Sequence, residues 1–274
     1  MIAAVAVLAL FAPDLPSPAP ADVARRIEEA SAGFVGAPYR RSPLGEGEGI
    51  DPDPRYREDV FDCLTLVETA IARLHRSRAE EARRVLDDIR YASGREIRFE
   101  NRLHLMEAQW IPEMIRKGYV EEVTPQVGGD AVVWIEIPLD AGRWRRRNVL
   151  PRLPWNPAWE GVHRLPVIPI EAALRLADSI PAGLVVDVVR EGREGDVTRI
   201  SHTGLVVERE GRRFVRHAAL GERRVVDEPL EAFLVRHARM RRRPVTGIHL
   251  LAIRDNEARV AALFERGEGA LAGR

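Results

Sequence analysis

The sequence predicts an α+β fold, and three observations carry that expectation. Apolar residues recur at helical spacing up to about residue 117. Beyond residue 131 short β-type apolar runs take over. Gly or charged turns then separate those runs at close intervals. A chain of 274 residues can bury a sizeable core, as one large domain with insertions or two small ones.

Taken in order, residues 22–35 form the first expected helix, capped by Asp22, with Val23, Ile27, Ala30 and Phe34 on one face. A loop punctuated by Gly and Pro leads to VFDCLTLVETAIARL, residues 60–74. There Asp62 is a good N-cap and Leu64, Val67, Ile71 and Leu74 repeat at helical spacing. Further helices are expected over 78–90 and 102–117, the latter closed by Gly118 and disturbed by Pro112. The runs AVVWIEIPL, GLVVDVVRE, SHTGLVVERE, RRFVRHAAL, RRVVDEPL and GIHLLAIRD read as strands. VIPIEAALRLADSI reads as a strand followed by a short helix. The Trp/Pro-rich stretch 141–165 reads as an insertion beside the sheet, and the charged tail 256–274 as a loose terminal helix.

The first twelve residues are apolar but too few to span a bilayer, and Pro13, Pro16, Pro18 and Pro20 follow among small residues. Residues 1–21 are therefore expected to be a secretory leader, although its start lacks Lys and Arg. The protein would then be exported, periplasmic or extracellular, with no integral membrane span. Residues 22–255 would form a single domain.

Charge balances at zero, so no overall field directs the chain to nucleic acid. The run from Arg236 to Arg243 is basic but lacks interleaved aromatic residues and reads as a solvated loop. A single cysteine excludes an intramolecular disulfide and any multi-cysteine zinc cluster. No HExxH, GxSxG or Walker pattern occurs. No cofactor is expected, although Cys63, His202 and His217 together could ligate zinc by ligand type.

That lone cysteine, Cys63, falls in the first turn of its helix, where unpaired N–H groups and the helix dipole favour a thiolate. The plain alternative is a small buried side chain. A nucleophilic thiol needs a base. His202 starts one β run and His217 lies in the next, and the Glu210-Gly211-Arg212 turn between them suggests a hairpin. Cys63 would attack, His202 would act as general base, and His217 would orient His202 through its other nitrogen. The other histidines fit less well. His75 closes the cysteine helix, where a positive charge suits the dipole. His104 belongs to the 102–117 helix, His163 and His237 to loops, and His249, alternating with Leu250, can face solvent.

Asp62-Cys63, His202-Thr203-Gly204 and Phe214-Val215-Arg216-His217-Ala218 resemble the NlpC-type branch of papain-like cysteine peptidases. Five blocks resemble its N-acetylmuramoyl-L-alanine amidase-like family more specifically. They are Phe34 to Tyr39, Phe61 to Glu68, Asn101 to His104, Val167 to Pro169, and Ile200 to Gly204. The resemblance implies a papain-like core with N-terminal helices on an antiparallel sheet or barrel. It also implies hydrolysis of the bond between N-acetylmuramic acid and L-alanine in peptidoglycan fragments (muropeptides). Cys63, His202 and His217 match the nucleophile, base and polar third residue, while Tyr39, Asn101 and Arg102 match blocks near the cleft and are expected substrate contacts. For Asn101 and Arg102 a helix cap and a surface charge are the alternative. Many relatives carry Gly-Asp where this chain has Gly183-Leu184, and an aromatic residue where it has Leu105. The alternatives in function are an endopeptidase cutting between D-Glu and the diamino acid of the stem peptide, and a non-catalytic wall-binding module.

Overall fold

The computed structural model describes residues 20–147 and 152–271, so the expected leader lies outside them save for its last two residues. Amphipathic faces set the helices. Helix α1 (Ala21–Ala32) buries Val23 and Ile27, α2 (Cys63–His75) is buried nearly all round, and α3 (Ala79–Arg90) buries Ala82, Val85, Leu86 and Ile89.

The expected helix over 102–117 forms only in part. Residues 102–105 are not helical, and Met106–Trp110 make a π-helical turn in which Leu105 O accepts from both Gln109 N and Trp110 N. Helix α4 (Ile111–Lys117) follows with Pro112 in its first turn. Proline lacks an N–H and its ring clashes with the carbonyl four residues back, so the preceding turn widens.

The chain continues through β1 (Val120–Glu122), α5 (Thr124–Gly128), β2 (Val133–Leu139), α6 (Ala141–Arg147), β3 (Gly161–Pro169) and α7 (Ile170–Arg175). Then come β4 (Leu184–Arg190), β5 (Ile200–Arg209), β6 (Arg212–Ala219), β7 (Arg224–Pro229), α8 (Leu230–Ala238), β8 (Val245–Ile253) and α9 (Glu257–Leu271). The strands form one antiparallel sheet in the order β2-β3-β8-β4-β5-β6-β7, with β1 also paired to β8. The β5–β6 connection is the expected tight hairpin. Arg209 pairs with Arg212, and Glu210 and Gly211 both take positive φ (51° and 73°), as a primed two-residue turn requires.

Both sheet faces are covered. Val185, Leu205, Val207, Ala218 and Leu251 pack with α1, α2 and α3, and Val186, Val188, Val206, Val215 and Leu250 pack with α7 and α8. Central strand β4 is consequently apolar almost throughout. The Trp/Pro-rich stretch builds a separate cluster in which Trp144, Trp159 and Leu153 pack with Leu105, Leu139 and Val197. Residues 161–165, expected within that insertion, instead begin β3.

The tail does not hang loose. In α9, Val260 is fully buried, Arg259 grips Asp88 at 2.7 and 2.8 Å, and Phe264 lies 4.3 Å beneath the Arg84 guanidinium. No helix among the described residues is long and apolar enough to cross a membrane.

Candidate active site

Helix α2 is anchored at the end that carries Cys63. Asp62 accepts from Thr65 N at 2.9 Å, and Thr65 Oγ1 accepts from Asp62 N at 3.0 Å, a reciprocal capping box with Thr in place of Glu or Gln. The other Asp62 oxygen receives Ser42 N–H at 2.9 Å, which ties the preceding loop to the same cap. Cys63 itself keeps partial exposure.

Its sulfur does not favour the thiolate at rest. Burial of the sulfur and the adjacent Asp62 charge push the thiol up to about 12, against the pull of backbone N–H groups from Thr203, Leu64 and Cys63. The helix end is present as expected, but desolvation outweighs it.

The Thr203 N–H brings the sulfur to the histidine strand. Thr203 follows His202 and lies beyond the last β5–β6 pair, Leu205 with Arg216, so its amide is free to face Cys63. The sulfur thus sits one peptide unit from His202. The imidazole approaches from the other side. His202 pairs with Val188, whose face packs on α8, and its ring stacks near Phe233 (6.2 Å) and His237 (6.3 Å). The hydrogen bonds among the described residues include none between Cys63 and His202; what links them is the Thr203 amide, which is next to His202 in β5 and reaches the sulfur.

His202 and His217 are brought together as expected, with His202 Nε2 2.8 Å from His217 Nδ1 and the rings nearly perpendicular at 84°. Gly204 permits this. A Cβ there would lie 3.0 Å from the His217 Cβ and 2.8 Å from Val215 Cγ1. His217 Nε2 faces Glu228 Oε2 at 3.2 Å, and Arg236 donates to both Glu228 oxygens at 2.9 and 2.6 Å. Burial works against the Glu228 charge, but the Arg236 and His217 hydrogen bonds outweigh it and hold the carboxyl at about 2. Burial, with His217, His237 and Arg236 nearby, drives His202 well below the usual imidazole range, so it is neutral at pH 7.

Of the expected substrate contacts only Tyr39 lies near the sulfur. Burial, then the Cys63 and Asp62 charges, raise its phenol, so it stays a donor. Arg102 is engaged elsewhere, bonding Leu44 O at 2.9 Å and Asp51 at 2.9 Å to hold the 44–51 loop. Asn101 bonds Glu96 O at 2.9 Å within its own turn.

Five histidines depart from expectation, two of them by element alone, since His104 precedes the π-helical turn and His163 lies in β3 and not in a loop. His237 lies in α8, not a loop, and its Nδ1–H donates to Phe233 O at 2.8 Å. His75 is buried and pushed down to about 4 by desolvation, so it does not offer the helix a positive charge. His249 is fully buried between Asp187 (3.0 Å) and Glu122 (2.7 Å), and burial is outweighed by these partners, which raise it to about 9.

Glu107, which carries no sequence signal, accepts from Arg199 N (2.6 Å), Ile200 N (2.8 Å) and Thr198 Oγ1 (2.7 Å), pinning the segment that enters β5. His202 Nε2 and His217 Nδ1 point at each other, and the ligand atoms of Cys63, His202 and His217 do not form a close group of three among the described residues. His75, Asp255 and Glu257 gather their ligand atoms within 4.8 Å, but Arg26 and Arg76 already engage the two carboxylates.

The sequence profile described as AmiA-like, N-acetylmuramoyl-L-alanine amidase-like, matches residues 29–240. Among solved structures, a Legionella pneumophila protein aligns with a TM-score of 0.74 at 23% identity, over 85% of this chain and 89% of its own. A Bacteroides uniformis protein described as an N-acetylmuramoyl-L-alanine amidase aligns with a TM-score of 0.64 at 19% identity, over 85% and 100%. At these identities the likeness shows a shared fold. No curated protein matches the sequence.

Proposed function

The chain belongs to the AmiA-like, N-acetylmuramoyl-L-alanine amidase-like family, and from that premise we propose that it is a cysteine-dependent amidase of peptidoglycan fragments. The bond cut is the one between N-acetylmuramic acid and L-alanine, and the core is of the papain-like, NlpC type. Export to the compartment that holds the cell wall belongs to the same reading. The observation that supports it is the contact of Cys63 with the amide of Thr203, the residue after His202, whose ring pairs with His217 at 2.8 Å.

In this reaction a neutral thiol and a neutral imidazole are the resting partners. Proton transfer from Cys63 to His202 accompanies attack of the sulfur on the lactyl carbonyl carbon. Amides of Cys63 and Leu64 at the helix start, and the Tyr39 hydroxyl, are the donors available to the oxyanion. One such donor is worth roughly 3–4 kcal/mol in other hydrolases. Collapse breaks the C–N bond, and His202 returns the proton to the departing alanine nitrogen. Water, deprotonated by His202, then cleaves the thioester and regenerates the thiol.

The test is mass spectrometry of products from a defined muropeptide, wild type beside Cys63→Ala. Free sugar plus an alanine-terminated peptide, absent from the variant, supports the reading. Retained turnover by Cys63→Ala overturns the covalent scheme, and a released dipeptide assigns the endopeptidase instead.

A further inference from the structure

We propose that Glu228, clamped by Arg236, is the positioning residue that decides which nitrogen of His202 is free to receive the Cys63 proton. The inference rests on the reading of Cys63 and His202 as nucleophile and base.

The argument follows the hydrogens. An ionised carboxylate only accepts, so the contact of 3.2 Å to Glu228 Oε2 puts the hydrogen of His217 on Nε2. Neutral His217 is then bare at Nδ1, which must accept. Its neighbour at 2.8 Å, His202 Nε2, must therefore carry the hydrogen and donate. Neutral His202 is left with Nδ1 bare, the only nitrogen that can act as a base. The opposite wiring would set a lone pair of His217 against a carboxylate and leave His202 with its hydrogen on Nδ1.

Arg236 supplies the second half of the device. A lone carboxylate beside an imidazole would also stabilise the doubly protonated ring. That ring would donate from Nδ1, force His202 Nε2 to accept, and invert the wiring. The two Arg236 bonds offset the Glu228 charge and so oppose that inversion, while leaving the carboxylate as an acceptor for His217.

The fold places these parts together. Val215 pairs with Glu228 and His217 with Val226, so Glu228 and His217 share one face as diagonal neighbours. Arg236 comes from α8, which also sets Phe233 edge-on to His217 at 5.3 Å. His237, its Nδ1–H committed to Phe233 O, stacks near His202 without a donor from that nitrogen.

The experiment is imidazole nitrogen NMR at neutral pH on the full chain carrying Cys63→Ala, then on the same chain with Glu228→Ala added. The expected spectra show His202 and His217 both protonated at Nε2 and bare at Nδ1, and a mixed or inverted pattern once Glu228 is lost. With the thiol intact, Glu228→Ala should lower kcat about 10²-fold or more with KM nearly unchanged, and Glu228→Asp should restore part of it. A mis-set tautomer costs about 10⁴ in kcat in a serine hydrolase. His202 protonated at Nδ1 in the first spectrum overturns the proposal, as does an unchanged pattern with unchanged kcat on loss of Glu228. The first spectrum needs no Glu228 variant to fold, and it reads the wiring even if Cys63→Ala retains turnover, the result that would instead sink the amidase reading.

Discussion

His202 and His217 lie 2.8 Å apart nitrogen to nitrogen, on strands joined by a two-residue turn, so a single hydrogen orders both rings. They are diagonal and not directly opposed, since Gly204 stands across from the region of His217 and leaves room for it. The pair is therefore a product of hairpin register, one missing Cβ and the α8 helix behind it.

His217→Ala is expected to lower kcat by about 10²-fold while leaving KM within about twofold, because it removes the partner that orients the base and touches no part of the scissile bond. Steady-state kinetics on a defined muropeptide check this. A raised KM with unchanged kcat would make His217 a substrate contact instead.

Burial and the Asp62 charge hold the Cys63 thiol at about 12, so alkylation of the free protein by iodoacetamide should be slow at neutral pH. Its rate should climb steadily with pH, about tenfold per pH unit, with no plateau up to pH 10. A plateau near roughly 8.5 would mark an ordinary exposed thiol, and rapid labelling at pH 6 would mark a preformed thiolate–imidazolium pair. The first result rejects the upward shift by burial, and the second rejects the neutral resting state.

Much of this site is legible in the sequence because its signals are local. Asp62 beside Cys63 marks a cap, and Glu210-Gly211 between two β runs marks a hairpin that sets His202 and His217 on adjacent strands. What is not legible depends on distant partners. His249 alternates with Leu250 like a half-exposed strand residue, yet β8 is an interior strand covered on both faces, and Asp187 and Glu122 reach it from other strands. His237 hides within an arginine-rich run whose helical stripe (Leu230, Phe233, Leu234, His237) becomes visible only once it packs on the sheet. Arg102 carries the right charge for a substrate contact, but the carbonyl of Leu44 and the carboxylate of Asp51 claim it first.

Gly204→Ala should cost stability and activity together. The new methyl would meet Val215 Cγ1 at 2.8 Å and the Arg216 carbonyl and His217 Cβ at 3.0 Å, so β6 must shift away from β5. Overpacking of this kind costs about 1–3 kcal/mol, or roughly 2–4 °C in melting temperature per kcal/mol for a domain of this size. Because the shift separates the two imidazoles, kcat should fall further than stability alone accounts for. A variant with a lowered melting temperature and wild-type kcat would show that the histidine contact tolerates strand movement.

His249 supplies a test of the buried charge beside the site, on the strand next to Asp187, which itself pairs with Thr203. Burial alone would lower its pKa, but hydrogen bonds to Asp187 and Glu122 prevail and raise it to about 9, above the unfolded value near 6.5. A raised imidazole binds its proton more tightly in the folded state, so its contribution is complete below about pH 6.5 and is lost as pH rises through about 9. The amount at stake is on the order of 3 kcal/mol. Thermal melts of the wild type should therefore decline between about pH 6.5 and 9. His249→Gln should be less stable at pH 6 and show a flatter profile across that window, since the amide keeps a donor for one carboxylate but has no proton to lose. Parallel profiles for the two proteins would mean that His249 is not charged in the folded state, and that Asp187 and Glu122 are balanced some other way.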